Sequence, residues 1–262
     1  MTYPGLTIIT ADIETAPILA KVWGLFKVNV ALNQIESDWT ILSIAFKYLG
    51  RSKVTYQDVS GQEDLRDDSA MLLLLWSMLD EADIVIGQNF RRFDSKKINA
   101  RFIQAGLSPP SPYVIIDTLE MAKASAAMTS NKLDWLSSKL TDMAKDHHNE
   151  FPGMELWNEC LKDNPKAWKA MRKYNIRDVP ACEEVYLVLR PYYPYHPNLA
   201  AYTESEDKQC TRCLSTALEP AGYKRTNTSE YKQYRCLSCG GFCRERYTIN
   251  SLSKRKSLLM SQ

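Results

Sequence analysis

At 262 residues, 45% hydrophobic and 24% charged, the chain has the size and make-up of one good-sized globular domain with a small appendage. Its greasiest run, AMLLLLWSML over residues 70–79, falls short of the roughly 20 residues a membrane span needs. The opening MTYPGL has no basic-then-apolar leader pattern, so the expectation is a cytoplasmic protein with no membrane partner. The net charge of +2 is unevenly spread: residues 1–196 hold 22 Lys and Arg against 25 Asp and Glu, and residues 197–262 hold 11 against 6. An acidic body with a basic C-terminal piece points to two modules, 1–196 and 197–262, with different partners.

In chain order, the apolar run Leu6–Ile9 predicts a buried strand that leads into Asp12 and Glu14. Side chains at i and i+2 of an extended chain share a face, so these two carboxylates stand side by side. Residues 15–40, with Trp23, Phe26 and Trp39, read as irregular. ILSIAFKYL (41–49) and KVTYQDVS (53–60) read as strands joined by a turn, completing a three-stranded antiparallel meander. A helix follows over 67–82, acidic at its N-terminal end, then a short strand over 83–89. A second helix, 93–106, closes on Gly106. A strand at 113–118 and helices at 130–140 and 165–189 complete the body, and the prolines of 191–197 mark its edge. DTLE (117–120) reads as a capping box. The order β-β-β-α-β-α-β-α-α predicts an α/β fold: a mixed sheet, meander first and βα crossovers after, flanked by helices.

Two like charges at a strand end need partners. Asp94 follows the strand at 83–89 and opens a helix. Tyr174 and Asp178 are four residues apart, on one face of the long helix. Taken singly, each has an ordinary reading: a solvated strand end, a helix N-cap, a half-buried aromatic, a surface helix acid. Taken together, four carboxylates converging above a sheet call for hard cations such as Mg²⁺ or Mn²⁺. Two such ions form the clamp used for phosphodiester cleavage. Glu183 and Glu184 read as a solvated helix face, and His147, His148 and His196 as surface residues.

The pattern D-x-E, then N-x3-F-D, then Y-x3-D resembles the DEDD superfamily of 3′–5′ exonucleases, the DnaQ-like, ribonuclease-H-like enzymes. Tyrosine at 174 resembles the DEDDy subgroup. The resemblance covers residues 5–192, including IIDTL (115–119) and NKLDWLSSKL (131–140); the whole chain looks like phage-encoded stand-alone exonucleases with a C-terminal zinc ribbon. It implies a ribonuclease-H-like sheet. It implies that Asp12 bridges both metals, that Glu14 and Asp178 complete the nucleophile-side site, and that Asp94 holds the second metal. Tyr174 would orient the attacking water. Asn89 and Phe93 match supporting positions around the second motif. Arg91 and Arg92 flank it, and either touch the phosphate backbone or sit in a solvated loop. By the same resemblance the setting is a bacterial or phage-infected cell.

Five of the seven cysteines crowd into the tail. CTRC (210–213) and CLSCGG (236–241) are two CxxC knuckles separated by residues 214–235. Cys210, Cys213, Cys236 and Cys239 at that spacing predict a closed tetrahedral zinc site, structural because no ligand position is left open. Cys243 reads as a bystander. Basic residues interleaved with Tyr223, Tyr231, Tyr234, Phe242 and Tyr247 suit nucleic acid, or else form the small core and solvated face of a minimal ribbon.

The expected function is a metal-dependent 3′–5′ exonuclease releasing nucleoside monophosphates from single-stranded ends, DNA before RNA. It would act alone or in trans with a polymerase or other replication protein. The competing reading is a non-catalytic nucleic-acid-binding or adaptor protein built on the ribbon; a 3′–5′ exoribonuclease is the alternative within the enzyme class.

Overall fold

The structure, a computed structural model, describes residues 3, 5–143 and 150–259, so His147 and His148 lie outside the described residues. In chain order the elements are β1 (Ile8–Thr15), β2 (Leu19–Ala20), β3 (Ile35–Ser37), β4 (Ile41–Tyr48), β5 (Thr55–Asp58), α1 (Ser69–Asp80), β6 (Ile84–Gly87), α2 (Asp94–Gln104), β7 (Val114–Asp117), α3 (Thr118–Ser125), α4 (Leu133–Leu140), α5 (Glu155–Cys160), α6 (Pro165–Leu189), β8 (Leu218–Arg225), β9 (Glu230–Cys236), β10 (Phe242–Arg244) and α7 (Leu252–Ser257). They gather into two compact units. One comprises Thr7–Lys123 and Ala127–Tyr186; the other takes in Leu6, Ala124–Ala126 and the chain from Leu187 onward. The boundary expected at 196/197 falls inside the second.

The first unit is built on a five-stranded sheet in the order β5-β4-β1-β6-β7. The pairs β1–β4 and β4–β5 are antiparallel, and β1–β6 and β6–β7 are parallel. This is the mixed sheet that the order of elements predicts. β1 is central, and Ile9, Ala11 and Ile13 enter the core with Ile41, Leu42 and Ile44 of β4. Helix α1 buries Met71, Leu72, Leu75, Met78 and Leu79, the stripe spacing of a helix lying on a sheet. Asp68, expected to act on the helix dipole, is instead buried; it accepts from the Ile41 amide and holds Arg101 by both oxygens, at 2.6 and 2.8 Å.

Several elements differ from the sequence-based expectation. The stretch 15–40 contains a short hairpin, β2 with β3. Helices α3, α5 and α7 and strand β8 have no counterpart in the predicted order, although the DTLE capping box marks where α3 begins; α5 is six residues long, too short for periodicity to register. Glu183 is buried rather than solvated, paired with the equally buried Lys47 at 2.8 Å. His196 is half-buried, its Nδ1 against the Pro197 carbonyl at 2.7 Å.

In the second unit, β8, β9 and β10 form an antiparallel sheet with β9 in the centre. Both knuckles turn the same way. The Leu214 and Gly240 amides bond back to the carbonyls of Cys210 and Cys236, each with φ in the left-handed region, at 62° and 77°.

Gly87 ends β6 where the chain must turn toward Asp94. A Cβ there would stand 2.6 Å from the fully buried ring of Phe90. Gly87→Ala should therefore destabilise the protein by about 1–3 kcal/mol, as overpacking does. Urea denaturation checks this, and an unchanged midpoint would contradict it.

Candidate metal and nucleic-acid site

β1 carries Asp12 and Glu14 on one face and Ile13 on the other. Across the ladder they oppose Ala45 and Ser43 of β4, side chains small enough to leave room above the sheet. Asp94 is the first residue of α2 and begins the buried line Asp94–Ile98–Phe102, spaced by four, so the packing of the helix carries its carboxylate inward. It is not the helix cap; Phe93 holds that position, and the Asp94 carboxylate accepts from the Ile13 amide at 3.3 Å. The acid of α2 is thereby fastened to the residue between the two acids of β1.

α6 brings Tyr174, Asn175 and Asp178. Asn175, absent from the motif-based set, is fully buried and is the link between elements. Its amide donates to Asp12 Oδ2 at 2.6 Å and to the Asp12 carbonyl at 3.3 Å, while its oxygen accepts from Ser43 Oγ at 3.0 Å. Trp157 of α5 is a second group outside that set. Its indole N–H donates to Glu14 Oε2 at 3.0 Å, and its ring meets that of Tyr174 edge to face, centroids 6.3 Å apart. Asn175 stands inside YNIRD, where a polar residue on the inward face of a helix is a visible signal. Trp157 has no sequence signal at all.

Asp117 fixes the turn that leads to Asp94. Its carboxylate accepts from the amides of Asn89, Arg91 and Leu119 at 2.9–3.1 Å, capping α3 as its position in DTLE suggested. Asn89 takes φ 57° in that turn. The Arg91 guanidinium is engaged by Glu120 and the Ile115 carbonyl, at 3.2 and 2.8 Å. Arg92 is exposed, and Phe93 is 41% exposed.

The electrostatics follow from crowding. Asp12 is raised well above the usual carboxylate range by burial and then by Glu14, Asp94 and Asp178, with the Asn175 bond opposing. Glu14 is pushed up to about 8 by burial and by Asp178. Asp94 is pushed up to about 7 by burial, against two backbone amides that favour its charge. The phenol of Tyr174 is driven far above its ordinary value by burial and by the three acids Asp178, Glu14 and Asp12. Crowded carboxyls, Asp12 and Glu14 raised by their acidic neighbours, make an all-oxygen donor set, which fits a hard divalent cation. Among the described residues, the set whose ligand atoms all lie within 4.8 Å of one another is Cys210, Cys213, Cys236 and Cys239; the carboxylates are spread more widely. The cysteine set fits the closed site of a zinc ribbon. Cys243 Sγ lies 3.8 Å from Cys210 Sγ, outside that set.

Two clefts reach the acids. One, of about 450 Å³, is lined by Asn89, Asn131, Lys132, Tyr174 and Asp178 among others. The other, of about 430 Å³, runs from Glu14 past Pro17 and Ile18 to Trp39, Phe93, Lys97 and Trp157. There the Lys97 ammonium sits 3.6 Å above the Trp39 ring.

Residues 33–190, more than half of the chain, match the family model of the RNase H superfamily. The chain belongs to the RNase H superfamily. The match begins after β1, so Asp12 and Glu14 lie outside it. Among solved structures this superfamily member is similar to the family B DNA polymerase of the hyperthermophilic archaeon Pyrobaculum calidifontis, at 14% identity and a TM-score of 0.45. That match covers 73% of this chain and 26% of the polymerase, so the chain spans about a quarter of its length. A search of curated proteins gave no match.

The raised carboxyls give the metal-free protein a definite pH dependence. Glu14 ionises near 8 in the folded state against 4.5 for the ordinary group, so between those values the folded state holds more protons than the unfolded one. The contribution of Glu14 to stability must then fall as pH rises from about 4.5 to about 8, most cleanly above 6.5, where the opposing His196, held down to about 4 by burial, no longer titrates. Thermal melts in a chelator that spares the zinc site should show this fall, and excess Mg²⁺ at pH 8 should reverse it. A melting temperature that climbs across that range would contradict the assignment.

Proposed function

We propose that the chain is a metal-dependent 3′–5′ exonuclease of the DEDDy type, releasing nucleoside monophosphates from single-stranded ends, DNA in preference to RNA. The observation that carries this reading is that Asp94 and Asp178, from two helices, raise the pKa of Asp12 and Glu14 on β1, and that Asp178, Glu14 and Asp12 together raise that of Tyr174. Membership of the RNase H superfamily supports nuclease chemistry, and the three motifs of the DEDDy pattern fall on β1, the start of α2 and one face of α6.

Asp12, Glu14, Asp94 and Asp178 are the residues that would hold two Mg²⁺ or Mn²⁺ ions. Bound there, such ions supply an acidified water and neutralise charge on the departing oxygen. The protein's own groups do the rest. Asn175 fixes the rotamer of Asp12, and Trp157 fixes that of Glu14, so neither carboxylate must reorganise as charge develops. Tyr174 keeps its proton at neutral pH, so its role is to orient the attacking water through the hydroxyl rather than to act as a base.

Asp12→Asn and Asp178→Asn should each abolish release of mononucleotides from a 5′-labelled single strand while leaving the fold intact. Tyr174→Phe should lower kcat by about 10- to 10³-fold with little change in strand affinity, the scale of a missing orienting group. Near-normal turnover in either Asn variant would sink the metal assignment, and an unchanged rate in Tyr174→Phe would leave the ring a packing group.

A structural zinc ion at Cys210, Cys213, Cys236 and Cys239 would hold the ribbon. Its exposed Lys224, Lys232, Arg235 and Arg246 are offered to phosphates, and Arg244 lies 3.9 Å above the Tyr231 ring. Replacing Lys232, Arg235 and Arg246 by Ala should make single-strand binding less steeply salt-dependent, by about 0.7 in log–log slope for each phosphate no longer neutralised. Parallel slopes would assign the ribbon to a protein partner instead.

A further inference from the structure

The exposed arm between β1 and β3 has no role in the four-acid centre. Among its apolar side chains Trp23 is 100% exposed, Phe26 89%, Leu25 88% and Leu32 87%. Large side chains gathered in the open mark a surface that something covers. We propose that this arm binds single-stranded nucleic acid, stacking bases of the substrate strand on Trp23 and Phe26. The proposal rests on the nuclease reading above and names the part of the chain that holds the strand away from the scissile bond.

Three observations select this occupant. The first is position. The arm leaves β1 directly after Glu14, and its root residues Pro17 and Ile18 line the cleft that starts at that carboxylate and passes Trp39, Phe93 and Trp157. A strand whose end lies at the acids and whose bases follow this aromatic cleft continues onto the arm. The second is charge. Residues 16–34 contain Lys21 and Lys27 and no acid, inside a body where acids outnumber bases. A polyanion is drawn to such a stretch. Lys21 is paired with Glu36, both of them exposed, so a phosphate can exchange for the carboxylate; Lys27 is exposed. The same charge disfavours a second copy of the arm, which would set lysines against lysines. The third is chemistry. Exposed aromatics interleaved with lysines form a stacking platform that tolerates any base, because every base has a π-face. The hairpin beneath is braced, since the Gln34 side chain bonds both the Ala31 amide and the Lys21 carbonyl, at 2.8 and 2.9 Å. The rings are therefore presented from a shaped loop.

The test is binding of fluorescein-labelled dT20 in Ca²⁺, read by anisotropy, for the full chain and for Trp23→Ala/Phe26→Ala. Both side chains are exposed, and circular dichroism confirms the fold of the variant. The expected result is a Kd raised by about 10-fold or more, the scale of one or two missing base stacks. The effect should shrink as the strand is shortened to a dinucleotide, and Trp23→Tyr/Phe26→Tyr should recover most of the affinity. In exonuclease assays on dT20 the alanine variant should show raised KM with kcat nearly kept. An unchanged Kd overturns the proposal. If sedimentation then shows that wild type self-associates and the variant does not, the arm is a surface for a second copy. Wild type that binds dT20 through the arm but hydrolyses nothing in Mg²⁺ or Mn²⁺ would refute the nuclease reading and leave the arm standing.

Discussion

Repulsion among four carboxylates is the constraint around which the first unit is arranged. Asp94 is buried, and Asp12, Glu14 and Asp178 are half-buried, on elements that pack for ordinary reasons: a core strand, the buried face of α2 and a long helix. Desolvation opposes the ionisation of Asp12, Glu14 and Asp94, and neighbouring acids oppose it further at Asp12 and Glu14. A fold holds such a cluster only where other interactions fix it, and here they are identifiable. Asn175 joins α6 to β1 and β4 in one chain of hydrogen bonds, Ser43 to Asn175 to Asp12. The Ile13 amide ties α2 to β1 through Asp94. Asp117 pins the turn that delivers α2. The strain left in the acids is the free energy that a bound cation would release.

The same constraint explains why the site is lined as it is. Groups that donate a hydrogen bond without adding charge, Asn175 and Trp157, touch the acids directly. In the cleft that starts at Glu14, the Lys97 ammonium lies over the Trp39 ring, and Arg91 is engaged by Glu120. A lysine or arginine among the carboxylates would neutralise them permanently and compete with a divalent ion. Neutral donors orient the oxygens and leave the charge available.

The framework was legible in the sequence because its signals are local and strong. The apolar run Leu6–Ile9 marks a strand that leads into Asp12 and Glu14, whose i, i+2 spacing sets both acids on one face; the strand itself runs on to Thr15. Glycine and proline bound α2 and α6, and the paired CxxC knuckles announce themselves by spacing. What was not legible depends on tertiary partners. Glu183 looks like any helix-surface acid until Lys47 is found beside it in the core. Trp157 sits on a six-residue helix with no periodicity, and only the fold shows that its indole faces Glu14. The hairpin at residues 15–40 was hidden because its exposed apolar side chains match neither a core strand nor a polar loop. That mismatch is the trace of a binding surface, since exposed aromatics serve a partner and not the core.

If the four carboxylates hold divalent metal, isothermal titration of the zinc-loaded full chain with Mn²⁺ at pH 7, repeated in buffers of different ionisation enthalpy, will show it. The expected result is two Mn²⁺ ions per chain, protons released on binding because Asp12 and Glu14 are partly protonated beforehand, and loss of both signals in Asp12→Asn. No Mn²⁺ binding by wild type, or equal binding by wild type and Asp12→Asn, would contradict it.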